Sequence, residues 1–382
     1  MKRLAIITTH PIQYNAPLFR ILAQRNRVQL KVFYTWSQSK EEVFDARFGM
    51  KRNWDIPLLD GYDYTFVKNT STHPDSNRFW GIINPGLQQE LNGFQPDAVL
   101  VYRWSVYSHL KLMQCIRGSR LFFRGDSHLL NGQPGLKHFF KKFFLRFVYR
   151  KVNCAFYVGK YNKAYYQQYG LTEKQLVSAP HAVDNSRFSN DNDDLDNKAA
   201  AERKAMQIPG NAIVFLYAGK FYALKQLDVL IAAFKKLKGE HYRLLLYGSG
   251  EQEAELKTLA ATDTRILFRP FKNQSEMPVV YRTGDVFVLP SMSETWGLSV
   301  NEAMASGRPA IVSMQCGCAP ELIIEGTTGF QFEAGNEQEL LKCMQHFENR
   351  NVAAQMGEQA LHHIGQFTLE RIAETIERES GV

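Results

Sequence analysis

Short apolar, β-branched runs alternate with helical stretches along this chain, and the alternation happens twice. In the first half LAIITT, VQLKVFYT, DAVLVY, RLFFRG, CAFYVG and LVSAPH read as strands. PLFRILAQR, PGLQQELNGF and SHLKLMQCIR read as helices between them. Buried strands separated by helices need parallel pairing, because each crossover must carry the chain back across the sheet. The polar, acidic stretch NDNDDLDNKAAAERKAMQIPGN then breaks the pattern and reads as a hinge. After it AIVFLYAGK, LDVLIAAFKKL, YRLLLYGSG, EQEAELKTLA, RILFRP and DVFVLPS restart the alternation. The reading is α/β, with two Rossmann-like parallel-sheet domains at 1–185 and 212–366, joined by a linker at 186–211. At 382 residues the chain has room for two domains of ordinary size. Ligands of open α/β sheets bind beyond the carboxyl ends of strands, so a cleft faced by both halves is the expected site.

The run SETWGLSVNEAMASGRP carries the most chemistry. VFVLPS before it reads as a buried strand bounded by Pro290, and LSVNEAMASG as a helix ended at Gly307 and Arg308-Pro309. Glu294 falls in the turn and Glu302 about two helical turns later. A helix start presents unpaired N–H groups and a positive dipole end, which suit a pyrophosphate. Carboxylates beside such a site would repel the phosphate and instead accept hydrogen bonds from sugar or ribose hydroxyls. Together these features imply a nucleotide-sugar. A bare pair of glutamates at this spacing also occurs on ordinary surface helices; the strand before it, Gly297, and the downstream GCAPELI and GTTGF favour the site.

SETWGLSVNEAMASGRPAIV resembles the Glu-x7-Glu signature of retaining glycosyltransferases of family 4, which have the GT-B fold. The resemblance implies that Glu294 contacts the donor sugar and Glu302 the ribose, with the amides of Gly297, Leu298 and Ser299 facing the pyrophosphate. Trp296 either walls the sugar or packs in the core. YAGKFYALKQLDVL is similar to the family's G-[RK]-x4-K-G segment, so Gly219 would end a strand and Lys220 and Lys225 would meet the departing phosphate. Gln226 replaces the family's usual glycine, and Lys220 its commoner arginine, which gives up the bidentate fork. Gly248 and Gly250 in LLLYGSGEQEAEL close a strand before a helix; the resemblance puts this tight loop, with Gly248 and Gly219, beside the donor, and backbone geometry is their main role. Arg269, Pro270 and Phe271 stand where the family recognises the nucleobase, partly through main-chain groups, so uridine and guanosine remain open.

The first half matches less closely. THPIQYNAPLFRIL lacks the glycine pair common after the first strand, and HPIQY resembles a bacterial subgroup of the family. His10 either reaches the cleft or caps the next helix. RGDSHLLNGQPG places Arg124, Asp126 and His128 at a strand's carboxyl end as acceptor- or donor-sugar contacts, with His128 the catalytic candidate. Arg103, ending DAVLVYR, is a weaker member of the same group, and APHAVDNSRF reads as structural. In GT-B proteins the last helix returns to the N-terminal domain, which the resemblance extends to about 367–382. Asp191-Asn192-Asp193 imitates the metal-binding Asp-x-Asp of GT-A enzymes, but it sits in the acidic linker and not after a strand.

Composition narrows the partners. An apolar share of 45% with 22% charged residues is that of a folded globular protein. No apolar stretch approaches the roughly 20 residues of a bilayer span. The five cysteines are scattered, fitting reduced thiols and a cytoplasmic setting, with Cys316-Gly-Cys318 structural and no metal site. The net charge of +8 comes without a nucleic-acid-binding motif, so an anionic membrane is the better partner. KHFFKKFFLRFVYRK (137–151) supports two readings: a core-facing helix with a basic rim, or a surface helix resting on anionic lipid. The expectation is a metal- and cofactor-independent retaining hexosyltransferase, cytoplasmic or peripheral on the inner face of the membrane. It would use a UDP- or GDP-sugar and a glycan or lipid-linked acceptor, with no nucleic acid. Two rivals stand beside it: a GT-B sugar-nucleotide epimerase or hydrolase, and a non-catalytic glycan- or membrane-binding module.

Overall fold

The computed structural model describes residues 1–40, 43–45, 50–52, 54–130, 136–189 and 193–381. It divides into two compact units. The first comprises Met1–Val43, Pro57–His181 and Leu369–Val382, the second Phe44–Ile56 and Ala182–Thr368.

In chain order the strands of the first half are β1 (Lys2–Thr8), β2 (Val28–Tyr34), the short paired β3 (Val43–Asp45) and β4 (Met50–Arg52), β5 (Tyr64–Phe66), β6 (Ala98–Tyr102), β7 (Arg120–Arg124), β8 (Cys154–Tyr157) and β9 (Leu176–Ser178). Unit 1 is a seven-stranded parallel sheet of order β5-β2-β1-β6-β7-β8-β9. The chain builds outward from β1 in one direction, then returns and builds the other way from β6. Helices α1 (Ala16–Gln24), α2 (Leu87–Phe94), α3 (Tyr107–Cys115), α4 (Leu136–Tyr149) and α5 (Lys160–Gln168) make the crossovers. Leu4–Ile7 and Ala98–Val101 are buried on both faces, as a central parallel strand requires. The terminal helix Leu369–Ser380 packs on α1, where Arg25 Nε donates to both oxygens of the buried Glu377 carboxylate.

Unit 2 repeats the plan with β10 (Ile213–Lys220), β11 (Tyr242–Ser249), β12 (Ile266–Arg269), β13 (Val286–Leu289), β14 (Ala310–Ser313) and β15 (Gly329–Phe332). Their order is β12-β11-β10-β13-β14-β15, again all parallel, with the reversal between β10 and β13. Its helices are α6 (Asp193–Ala205), α7 (Leu227–Lys236), α8 (Glu253–Ala260), α9 (Met277–Thr283), α10 (Leu298–Ala305), α11 (Ala319–Leu322), α12 (Glu337–Gln345) and α13 (Arg350–Ile364).

The structure corrects two readings. The stretch 186–211, read as a linker, contains α6, which packs on α9 within unit 2. Its first turn carries Asp193, Asp194 and Asp196 and its last turn Arg203 and Lys204, matching the helix dipole. Its inner face is built from Ala199 and Arg203, not from large apolar residues, so no apolar stripe shows in the sequence. Arg203 is buried, bonding Asp285 at 3.0 Å and the Ala212 carbonyl at 2.8 Å. Asp191 and Asn192 of the Asp-x-Asp imitation lie outside the described residues.

The second correction concerns α4. A core-facing role for its phenylalanines is overturned: Phe139, Phe140, Phe143, Phe144 and Phe147 are exposed. Leu145, Val148 and Tyr149 fill the inner face instead. Basic groups interleave with the exposed rings, Arg150 stacking over Phe147 at 4.5 Å and Lys141 reaching over Tyr165 and Tyr169. The side chain of Lys137 lies outside the described residues.

Candidate functional site

In an open parallel sheet the crevice lies where strand order reverses, because the two crossovers leave in opposite directions there. In unit 2 that point is between the carboxyl ends of β10 and β13, and the sequence puts Lys220 at the end of β10, Lys225 after it and Glu294 after β13.

β13 runs into Pro290 and a turn that ends at Gly297, which caps α10 with φ of 106°. A Cβ there would come within 2.9 Å of the Leu289 side chain and 3.2 Å of Cys318 Sγ, so backbone and space both demand glycine. Residues 294–296 are laced to the segment after β14. The Gly317 amide donates to the Glu294 carbonyl at 3.0 Å and the Cys318 amide to the Trp296 carbonyl at 3.0 Å. A Cβ at Gly317 would stand 2.0 Å from the Thr295 carbonyl oxygen. Burial holds the Cys316 and Cys318 thiols protonated, well above the usual thiol range, so both act as small apolar fillers. Among the described residues no cluster of three His, Cys, Asp or Glu is placed to hold a metal.

After β10 the chain makes a tight turn over Ala223–Lys225. Gly219 and Gly248 lie opposite each other in the ladder, and a Cβ on Gly248 would overlap the Gly219 carbonyl oxygen at 1.8 Å. Tyr217, fully buried beneath, donates its hydroxyl to the Lys220 carbonyl at 2.9 Å. Lys225 Nζ pairs with Glu294 Oε2, both side chains being mostly enclosed. Burial works against the ammonium, but Tyr217 and Glu294 more than offset it and hold the lysine above its usual range. The turn is completed by Gln226 in the left-handed conformation (φ 48°, ψ 45°), which accounts for the glycine usual at this place in the resembling family.

Other predicted residues are placed differently. Glu302, 3% exposed, accepts the Tyr281 hydroxyl at 2.6 Å. Trp296 is a core residue: it is 2% exposed and its indole N–H donates to Asn301 Oδ1 at 2.8 Å. Leu298 and Ser299 open α10 and are half-buried. Phe271 is half-buried after β12. Arg269 lines a cavity of about 620 Å³ with Tyr247, Glu202, Lys272, Ser275 and Val279, a set that includes neither Lys225 nor Glu294. Its buried Nε has no hydrogen-bond partner among the described residues, and burial and then Glu202 push the Tyr247 phenol up to about 12. Tyr217 and Tyr281 were missed in the sequence, where they look like ordinary strand and helix aromatics.

In unit 1 the reversal lies between β1 and β6. His10 follows β1 and Arg103 follows β6, while Arg124 ends β7. His10 shares a hydrogen bond with Thr9 Oγ1 at 2.9 Å and meets Trp36 edge-on. Burial, then the charge of Arg103, lowers its pKa to about 4, so it is a neutral imidazole at pH 7. Arg103 adopts φ of 67°, costly for a side-chain-bearing residue, and donates Nη1 to the Ser76 carbonyl at 2.9 Å. The buried His109, which sequence reading missed, sits with Nδ1 at 3.0 Å from both the Tyr102 and Arg103 carbonyls and with Nε2 at 2.8 Å from Thr35 Oγ1. Two carbonyls fix the Nδ1–H tautomer, so the Thr35 hydroxyl donates to Nε2. Arg124 is buried and donates to the Ala179 carbonyl at 2.7 Å. Asp126 is half-buried and lies in the field of His181, whose pKa falls to about 3 through burial and then Arg124. His128 accepts from the Leu130 amide at 3.3 Å. Residues 131–135 of the same predicted loop lie outside the described residues.

The fold so built is GT-B: two parallel-sheet α/β units of seven and six strands. It matches sucrose-phosphate synthase from Thermosynechococcus elongatus (TM-score 0.74, 16% identity, 99% of this chain and 98% of that one). It also matches Anabaena Alr3699/HepE in complex with UDP (TM-score 0.74, 16% identity, all of both chains). At such identities the likeness speaks for the fold alone. In sequence, residues 198–363 match the family described as glycosyl transferases group 1. A D-inositol 3-phosphate glycosyltransferase of Streptomyces bingchenggensis is 30% identical over 223 residues, which is 54% of this chain and 48% of that protein. The family match falls within unit 2. The chain spans about half the length of that relative.

Proposed function

We propose that the chain is a retaining glycosyltransferase that moves a sugar from a nucleotide-diphosphate sugar to a hydroxyl of a glycan or lipid-linked acceptor, in bacterial surface polysaccharide or glycolipid synthesis. The carrying observation is the Lys225–Glu294 pair at the strand reversal of unit 2, beside the glycine-capped start of α10. The amides of Gly297, Leu298 and Ser299 hold the diphosphate, and Glu302 reaches the ribose once Tyr281 releases it. Glu294 takes the hydroxyls of the sugar. The acceptor oxygen attacks the anomeric carbon on the face the phosphate leaves. As the carbon–phosphate-oxygen bond breaks, the departing phosphate takes the acceptor proton, and Lys225 and Lys220 share its charge. No step uses a metal. UDP is the favoured nucleotide, because HepE, which shares the fold, was solved with UDP and with UDP-glucose. His10, Arg103, Arg124, Asp126 and His128 of unit 1 serve the acceptor.

The exposed phenylalanines of α4, interleaved with Lys141, Arg146 and Arg150, fit a helix that rests on anionic lipid and keeps the enzyme on the inner face of the membrane. No described helix is long and apolar enough to cross a membrane.

The test is to incubate the protein with UDP-sugars and candidate glycans, with and without chelator, and to determine the anomeric configuration of the product. Transfer with retention is expected, undiminished by chelator and cut by roughly 10²- to 10³-fold in Glu294→Ala. Inversion would refute the mechanism, and sugar released or epimerised without acceptor would favour the epimerase or hydrolase reading. Vesicles of phosphatidylglycerol should sediment the protein, and Phe140→Ala/Phe143→Ala should leave it in solution.

A further inference from the structure

Five residues other than glycine adopt a left-handed backbone among the described residues: Asn26, Gln95, Arg103, Gln207 and Gln226. Asn26, Gln95 and Gln207 stand at the carboxyl ends of α1, α2 and α6, where a left-handed residue is an ordinary way to stop a helix. Gln226 closes the lysine turn of unit 2. Arg103 ends no helix. It is exposed and follows β6 at the strand reversal of unit 1. Strain of this kind persists where the surroundings over-determine it, and such places cluster at ligand clamps.

Three hydrogen bonds hold Arg103. Its amide donates to the Arg124 carbonyl at 3.2 Å, its carbonyl accepts Nδ1–H of His109 at 3.0 Å, and its Nη1 donates to the Ser76 carbonyl at 2.9 Å. His109 and Ser76 are themselves buried, so both ends of the residue are tied to fixed points. The guanidinium is set in place before any ligand arrives, which lowers the ordering cost of binding.

What these contacts leave over has a definite shape. Nη1 is occupied, whereas Nε and Nη2 have no partner among the described residues. Those two nitrogens form the edge of a guanidinium that meets a carboxylate or phosphate side-on, through two parallel N–H···O bonds. The one acid of the supporting loop, Asp75, is taken by Arg78 at 3.5 Å and by the Asn77 amide at 2.7 Å. His10 and His109 are neutral at pH 7, each held near 4 chiefly by burial, so neither adds a charge beside Arg103.

We infer that the acceptor carries an anionic group, a carboxylate or a phosphate, which docks on the Nε–Nη2 edge of Arg103. The inference rests on the reading of unit 1 as the acceptor side and narrows the acceptor from any hydroxylated glycan to an acidic one. A neutral sugar accepts at most single bonds from this edge and leaves the charge to water. A planar anion takes both N–H groups at once and uses the orientation that the strained backbone and Ser76 impose.

The test titrates the full chain, without nucleotide, with three sugars that share one ring and differ at C6: glucose, glucuronate and glucose 6-phosphate. At least one acidic sugar should bind roughly tenfold tighter than glucose, the scale of one charge-assisted pair. A preference for glucuronate identifies the anion as a carboxylate, and one for glucose 6-phosphate as a phosphate. The advantage should shrink as salt is raised, a measurement on the parent protein that needs no variant to fold. It should vanish in Arg103→Gln and survive in part in Arg103→Lys, which keeps the charge but not the fork. Equal binding of the three sugars, no binding, a preference insensitive to salt, or one intact in Arg103→Gln overturns the inference. So does loss of the thermal shift with UDP in Arg103→Gln, which would give the guanidinium to the donor. If the parent protein prefers the acidic sugar but shows no thermal shift with UDP, the anion site stands and the fault lies with the glycosyltransferase reading.

Discussion

The two units solve one topological problem with different chemistry. Each is a parallel sheet whose strand order reverses beside its first strand, and each places its polar groups at that reversal. Unit 2 builds the point from glycines that let strand ends touch, then sets one charged pair, Lys225 with Glu294, against a helix start. Unit 1 builds it from buried neutral histidines and a strained arginine, His10, His109 and Arg103. The first arrangement suits a ligand of fixed high charge such as a diphosphate. The second offers hydrogen bonds and the guanidinium of Arg103, held by the Ser76 carbonyl, which suit a polyhydroxylated ligand. A donor site that must stabilise growing phosphate charge and an acceptor site that must recognise hydroxyls would differ in this way.

The sharpest way to break the contrast is by mutation at both reversals. Lys225→Ala or Glu294→Ala should cut transfer by roughly 10²- to 10³-fold with the fold intact by circular dichroism, the usual loss for one group that stabilises transition-state charge. Arg103→Ala should act mainly on the KM for acceptor. Equal losses of kcat at both places would erase the distinction.

Acid should separate the units next. Burial lowers the His109 pKa to about 4, against 6.5 in an unfolded chain. Between those values the unfolded chain binds more protons, so stability is full above about pH 6.5 and falls as pH drops toward 4, by on the order of 3 kcal/mol for this one residue. Denaturant titrations from pH 7 to pH 4 with a probe in each unit should show unit 1 weakening and unit 2 lagging. Parallel losses would show that the buried imidazole is compensated elsewhere.

Gly248→Ala should destabilise unit 2 by about 1–3 kcal/mol, the cost of forcing a methyl into a filled space, because its Cβ lands on the Gly219 carbonyl. A melting temperature equal to that of the parent would mean that the strand ends part freely. The smallest effect is expected at Gln226→Gly. Relief of the left-handed strain and the extra freedom of glycine nearly cancel, leaving a stability change under about 1 kcal/mol. Loss of transfer in that variant would give the Gln226 side chain a function that its placement does not suggest.

Unit 2 was the more legible half. VFVLPS, Gly297 and the EAMASG helix announce a strand, a turn and a helix, and the structure has all three. Glu294 and Lys225, 69 residues apart in sequence, pair because β10 and β13 are neighbours, as doubly wound topology dictates. What stayed hidden follows from single physical causes. Helix α6 was missed because an arginine and an alanine, not leucines, face inward. The phenylalanines of α4 point outward against the expectation that apolar residues are buried, since Leu145, Val148 and Tyr149 already fill the inner stripe. Trp296 could be assigned to the core only once Asn301 was seen to hold its N–H. Arg269 proved to line a cavity between α6 and α9 that no motif marks. In unit 1 His10 lies on a loop with no periodic pattern, and His109, on α3, takes its partners from the Tyr102 and Arg103 carbonyls and Thr35, which sequence alone does not place beside it.

The central claim is tested most directly by a crystal structure of the protein soaked with UDP. The account predicts the diphosphate on the amides of Gly297, Leu298 and Ser299, with Lys225 turned from Glu294 onto a phosphate oxygen. Nucleotide bound in the cavity beside Arg269 and Tyr247, with Lys225 still paired to Glu294, would contradict it.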